Sequence, residues 1–133
     1  MAEEYTVRSY AKGVDIAPRK VAIVASLVRG RTVADALVIL EHTTRRSARD
    51  VAKTIASAKS NAINNHGLDG KSLTIRTISV TAGPRLKRFK PHMRGMALPF
   101  QKKTSHILVE VSGIEKPKKK PAVKQAAKKE SAK

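Results

Sequence analysis

Residues 83–107 read GPRLKRFKPHMRGMALPFQKKTSHI, with seven Lys or Arg, two His and no Asp or Glu. They lie between KSLTIRTISVT (71–81) and ILVEV (107–111), two runs with the alternation and β-branched content of strands. Two such runs are natural hairpin partners, yet hairpin loops ordinarily take roughly two to five residues. Here Leu86, Phe89, Leu98 and Phe100 are spread along both halves of the insert, while the breakers Pro91, Gly95 and Pro99 cluster at its middle. The stretch predicts a two-stranded ribbon bent near Gly95, with arms of about ten residues reaching on the order of 30 Å beyond a body.

The flanking runs extend this to a sheet. In KSLTIRTISVT, Leu73 and Ile75 share one phase and Ile78 and Val80 the other. That slip would expose a core side chain unless an extra residue absorbs it, which predicts a β-bulge near Arg76 and Thr77. In the last strand Ile107, Val109 and Val111 face inward, and YTVRSYA (5–11) adds a strand with Tyr5, Val7, Ser9 and Ala11 on one side.

Residues 16–67 read as three helices. Pro18 opens the first, whose stripe of Val21, Val24, Ala25 and Val28 is widened by Ile23 and Leu27 and stopped by Gly30. The second starts at the capping box TVAD (32–35), Thr32 accepting from the Asp35 amide, and is expected to bury Leu37, Val38 and Leu40. The third, about 44–65, sets Ala48, Val51, Ala52, Ile55, Ala58 and Ala62 on one face and ends at Gly67. Its other face carries Arg45, Arg49 and Lys53, open to reading as a solvated face or as an RNA contact. The order predicts an α+β fold: a three-stranded antiparallel sheet packed on three helices, with a long protruding β-hairpin. Residues 1–113 are expected to form one domain including the hairpin 83–106. Residues 114–133 are expected to be a disordered tail, because from residue 116 the chain is mainly Lys, Ala and Pro, with Val123 its one large apolar residue.

Charge narrows the function. The 133 residues hold 28 Lys plus Arg against 10 Asp plus Glu, a net of +18, and residues 84–106 contribute seven basic and no acidic side chains, the densest part. Such a field seeks a polyanion. No apolar run approaches the roughly 20 residues of a membrane span, and the acidic start MAEEYTVRSY lacks the pattern of a secretory or transit leader, so the expected location is the cytoplasm. There is no cysteine, and His42, His66, His92 and His106 are scattered, so neither metal nor cofactor is expected. No nucleophile has a plausible base, and phosphate-binding glycine motifs are absent, which argues against an enzyme.

A ribbon whose like charges face each other is marginal in water, and phosphates spaced along a nucleic acid would neutralise it, coupling its ordering to binding. RNA fits better than DNA: no helix combines a basic face with the side chains of a major-groove reader, whereas folded RNA has crevices for a slender probe. Tyr5, Tyr10, Phe89 and Phe100 are too scattered for a stacking platform, so phosphate and shape contacts must dominate.

The order GPRLKRFKP, then Gly95, then KKTSHILVEV resembles the hairpin of the large-subunit ribosomal protein 22 family. APRKVAIVASLVRGRTVADALVIL (17–40) is similar to that family's first two helices, and ASAKSNAINNHG (56–67) to the end of its third. The resemblance covers about residues 7–111. It implies a structural protein of the large subunit that binds rRNA, supports its folding and lines the nascent-chain exit tunnel with its hairpin tip. Its expected partners are large-subunit rRNA, neighbouring ribosomal proteins and the nascent peptide. The tip PHMRGMA (91–97) departs from the family, with His92 and Met96 where arginine is common and Met93 in place of a small residue.

The residues expected to bind rRNA are Arg8, Lys12, Arg19, Lys20, Arg29 and Arg31 on the body and Arg85, Lys87, Arg88, Lys90, Arg94, Lys102 and Lys103 along the ribbon. Thr104, Ser105 and His106 are expected to add contacts to phosphate or 2′-OH. His92, Met93, Arg94, Gly95 and Met96 form the expected tunnel tip. The alternative is a free nucleoid-type DNA compactor, which would also be small and basic with a Lys-rich tail.

Overall fold

In the computed structural model, which describes residues 4–114, three helices fill the interval between one strand and a later pair. The Lys-rich segment expected as a tail lies outside the described residues, except for Ile114, which belongs to the last strand. The order is β1 (Glu4–Val14), α1 (Pro18–Val28), α2 (Val33–His42), α3 (Arg46–His66), β2 (Thr74–Pro91), a 3-10 turn (Met93–Gly95) and β3 (Ala97–Ile114). The sheet is antiparallel in the order β1-β3-β2, so β3 is central.

Register builds the core in rows. Val7 and Ile75 flank Val111, Ser9 and Ile78 flank Val109, and Ala11 and Val80 flank Ile107, all on the face that the helices cover. The two apolar phases of β2 share this face because its register against β3 slips between Ile75 and Thr77, leaving Arg76 as the extra residue. The expected bulge is there. On the other side of the sheet Arg76 Nη1 donates to Thr6 Oγ1 at 3.3 Å.

Local chemistry explains the helices. Pro18 stands in the first turn of α1, and Val21, Val24, Ala25 and Val28 are buried. Thr32 caps α2, its Oγ1 accepting from the Asp35 amide at 3.2 Å. On α3, Ala48, Val51, Ile55, Ala58 and Ala62 are buried; their small size lets this 21-residue helix lie close to the sheet and its neighbours. The apolar stripes are narrower than the sequence predicts. Val38 is 55% exposed, because Val33, Ala36 and Leu40 face inward and Val38 lies about 200° around the axis from Leu40. Ile23 and Leu27 are likewise exposed, outside the buried stripe of α1.

Beyond the core, β2 and β3 continue as a ribbon whose side chains are exposed throughout residues 84–103. A second slip, between Ala82 and Arg85, marks its root. From there the pairs run from Arg85↔Lys103 to Pro91↔Ala97. Seven pairs span on the order of 20 Å, shorter than the expected arms, because the residues below the slip belong to the body. The like-charge repulsion expected along the ribbon is confined to its root. Arg85 faces Lys103, but Leu86 faces Lys102, Lys87 faces Gln101, Arg88 faces Phe100 and Lys90 faces Leu98.

Candidate nucleic-acid interface

The root of the ribbon is held by backbone and hydroxyl contacts. Thr104 Oγ1 donates to Pro84 O at 2.7 Å, and a Cβ on Gly83 would stand 2.5 Å from Thr104 Oγ1, so only glycine allows the strands this close. On the opposite side β1 slips between Ala11 and Val14. There Gly13, at φ 67°, donates its N–H to His106 Nδ1 at 2.9 Å, which leaves the ring proton on Nε2. The Tyr10 ring lies 5.9 Å from the His106 ring. Lys102 Nζ reaches Asp15 at 2.7 Å, tying the ribbon to the segment between β1 and α1. Being half exposed, that pair adds at most about 1 kcal/mol, so its effect is directional.

These contacts revise the expected set. Thr104 and Ser105 are only 8% and 0% exposed, and the Thr104 hydroxyl proton is already given to Pro84 O. Ser105 points into the core because it is in phase with Ile107, Val109 and Val111, whereas Thr104 lies on the opposite face, covered at Gly83 and Pro84, and borders the cleft of Arg19, Arg85 and Lys103. His106 is pinned through Nδ1 and offers only Nε2. Two expected cations carry internal acids: Lys102 on Asp15, and Arg8, whose Nε donates to Glu110 at 2.8 Å across β1 and β3. Arg29 Nη2 donates to Ile78 O at 3.1 Å and Arg31 Nε to Leu27 O at 3.0 Å, each leaving other guanidinium N–H groups outward.

The other expected cations have no acidic partner among the described residues. Lys12 lies over the Tyr10 ring and Lys90 over the Phe100 ring, each at 5.5 Å. Arg88 Nη1 donates to Lys87 O at 2.8 Å. Three cations distant in sequence meet at the root: Arg19 from α1, Arg85 from β2 and Lys103 from β3 line one cleft of about 140 Å³ with Gly83 and Ala17. Lys20 faces a different, larger cleft with Arg45 and Arg46, which the expected set did not contain. Arg45 had appeared only as part of a helix stripe, because position along a helix does not reveal what another element brings beside it.

At the tip, His92 Nδ1 accepts from the Met93 amide at 2.9 Å and the His92 amide donates to Met96 O at 2.7 Å. Arg94 and Gly95 both take left-handed backbone, φ 56° and 73°. This reverses the chain in three residues and leaves Met93 and Met96 at 72% and 60% exposure. Among the described residues no three His, Asp or Glu gather as a metal site would require.

A slender cationic hairpin on a small α+β body is thus the dominant feature. The model of the family described as Ribosomal protein L22p/L17e matches residues 9–112. The chain belongs to that family. A relative, the Large ribosomal subunit protein uL22 of Metamycoplasma arthritidis (strain 158L3-1), is 43% identical over 127 residues, 92% of this chain. The chain spans 60% of the length of that curated relative. The match to the L22 family runs from Ser9 in β1 to Ser112 in β3 and so includes the residues of the ribbon.

Proposed function

We propose that this chain is a structural constituent of the large ribosomal subunit, located in the cytoplasm within that subunit, and that it binds large-subunit rRNA through its body and its ribbon. Membership of a ribosomal protein family supports a structural role and argues against an enzyme. The observation that carries the RNA reading is the ribbon: about 20 Å of exposed strand pair with cations along both faces, held to the body at its root. Such a probe gains little by lying on the protein and much by entering a groove lined with phosphates, where counterions are released as it docks. The root cations Arg19, Arg85 and Lys103 would grip the backbone at the entrance, while Lys87, Arg88 and Lys90 follow it inward.

In this reading the tip reaches the exit tunnel and lines it with Met93 and Met96, a softer and less charged surface than a pair of arginines. Neighbouring ribosomal proteins and the passing nascent peptide complete its partners. The decisive experiment compares binding of the purified chain to folded large-subunit rRNA and to duplex DNA at equal salt, and follows its sedimentation in cell extracts. Selective rRNA binding and co-sedimentation with large subunits are expected. Equal affinity for duplex DNA, without co-sedimentation, would instead favour a nucleoid-type compactor.

A further inference from the structure

A second cationic cleft lies beside the start of α1. It has a volume of about 440 Å³, and its walls include Asp15, Ala17, Lys20, Arg45, Arg46 and Ser47. Lys20, Arg45 and Arg46 are all exposed and none has an acidic partner among the described residues. The one acid present, Asp15, is matched by Lys102 at 2.7 Å, so the remaining charge of the cleft is positive. Ser47 Oγ donates to Lys20 O at 3.4 Å, which joins α3 to α1 and fixes the two walls relative to each other. Three unpaired cations on one concave surface repel each other, and an anion entering between them relieves that repulsion where water screens it least.

We infer that this cleft holds a phosphate group of the RNA backbone, gripped by Lys20, Arg45 and Arg46, as a docking point separate from the ribbon. The inference rests on the rRNA-binding reading above and deepens it. RNA is favoured over an acidic peptide by continuity: Ala17 also borders the smaller cleft of Arg19, Arg85 and Lys103, so cations flank both sides of the same helix start. A strand of phosphates can use both clefts. Arginine forks suit phosphate oxygens, and two adjacent ones allow bidentate contact.

The test uses the full chain and folded large-subunit rRNA over a salt series. The cleft variant R45Q/R46Q is compared with R49Q/K53Q, which loses the same charge from the same helix outside the cleft, and with the ribbon variant K87Q/R88Q. The cleft variant should bind on the order of fivefold more weakly at fixed salt and lose roughly one to two units of salt slope. The outside pair should change affinity less than about twofold. R45K/R46K should recover most of the loss, and thermal melts of all variants should coincide. If the cleft and outside pairs weaken binding equally while the ribbon variant still loses affinity, only net charge matters and the cleft is overturned, with the rRNA reading intact. If no variant changes rRNA binding, both fall. If an acidic peptide competes at the cleft as well as RNA does, the assignment to a nucleic-acid phosphate is wrong.

Discussion

Adding one methyl group at Gly83 should weaken the whole fold although the residue lies at the ribbon's root. A Cβ there would stand 2.5 Å from Thr104 Oγ1, 3.2 Å from the Thr104 carbonyl carbon and 3.3 Å from His106 Cε1. The nearest atom is not a free chain end: it is on a β-branched side chain, 8% exposed, and donates to Pro84 O at 2.7 Å. Relief requires Thr104 to rotate away, which abandons that bond and leaves a nearly buried hydroxyl unpaired, at a cost of about 1–3 kcal/mol. Gly→Ala returns roughly 0.4–1 kcal/mol by restricting the unfolded chain. Gly83→Ala should therefore lose about 1–2 kcal/mol, lowering Tm by roughly 5–12 °C. Urea denaturation of Gly83→Ala, Thr104→Ala and the double variant supplies the assay. Because Thr104→Ala removes the clashing oxygen, the double variant should be less destabilised than the sum of the singles by about 1 kcal/mol. A Gly83→Ala protein within about 0.5 kcal/mol of wild type, or additive single effects, would refute the close-approach account.

Three further outcomes are expected. Ser105 is fully buried and its hydroxyl has no hydrogen-bond partner among the described residues, so Ser105→Ala should leave stability unchanged or raise it by up to about 1 kcal/mol, with rRNA affinity unaltered; a loss of affinity would return Ser105 to the interface. Replacing residues 85–103 with a short turn removes exposed side chains only, so the shortened chain should unfold as cooperatively as wild type in thermal melts and still bind rRNA, with its salt slope reduced by up to roughly 5. Arg94 occupies left-handed backbone that asparagine tolerates better, so Arg94→Asn should slow hydrogen exchange of the His92 amide, which closes the tip on Met96 O, by up to about fivefold; unchanged or faster exchange would show that the turn is not strained there.

Much of the fold was legible along the chain because its rules are local. A capping oxygen three residues before its amide, as in Thr32 and Asp35, and a proline in a first turn both act within one helical turn. The phase slip from Leu73 and Ile75 to Ile78 and Val80 announced a bulge at Arg76, because side-chain direction in a strand has a period of two. Breakers clustered around Gly95 located the tip, and the charge count pointed to a polyanion. The role of each cation was not legible in this way. Arg8 and Lys102 resemble Lys87 or Arg85 in sequence, yet Glu110 and Asp15 meet them across strands or segments far along the chain. Gly13 and His106, 93 positions apart, join where β1 slips against β3 between Ala11 and Val14. The close approach of β2 at Gly83 and Pro84 covers Thr104, while the packing of α3 on α1 carries Arg45 and Arg46 to Lys20. Composition and periodicity determine how much charge a chain carries and which elements bear it. Which charges stay unpaired is decided only when distant elements pack, since a charge is neutralised by its neighbour in space.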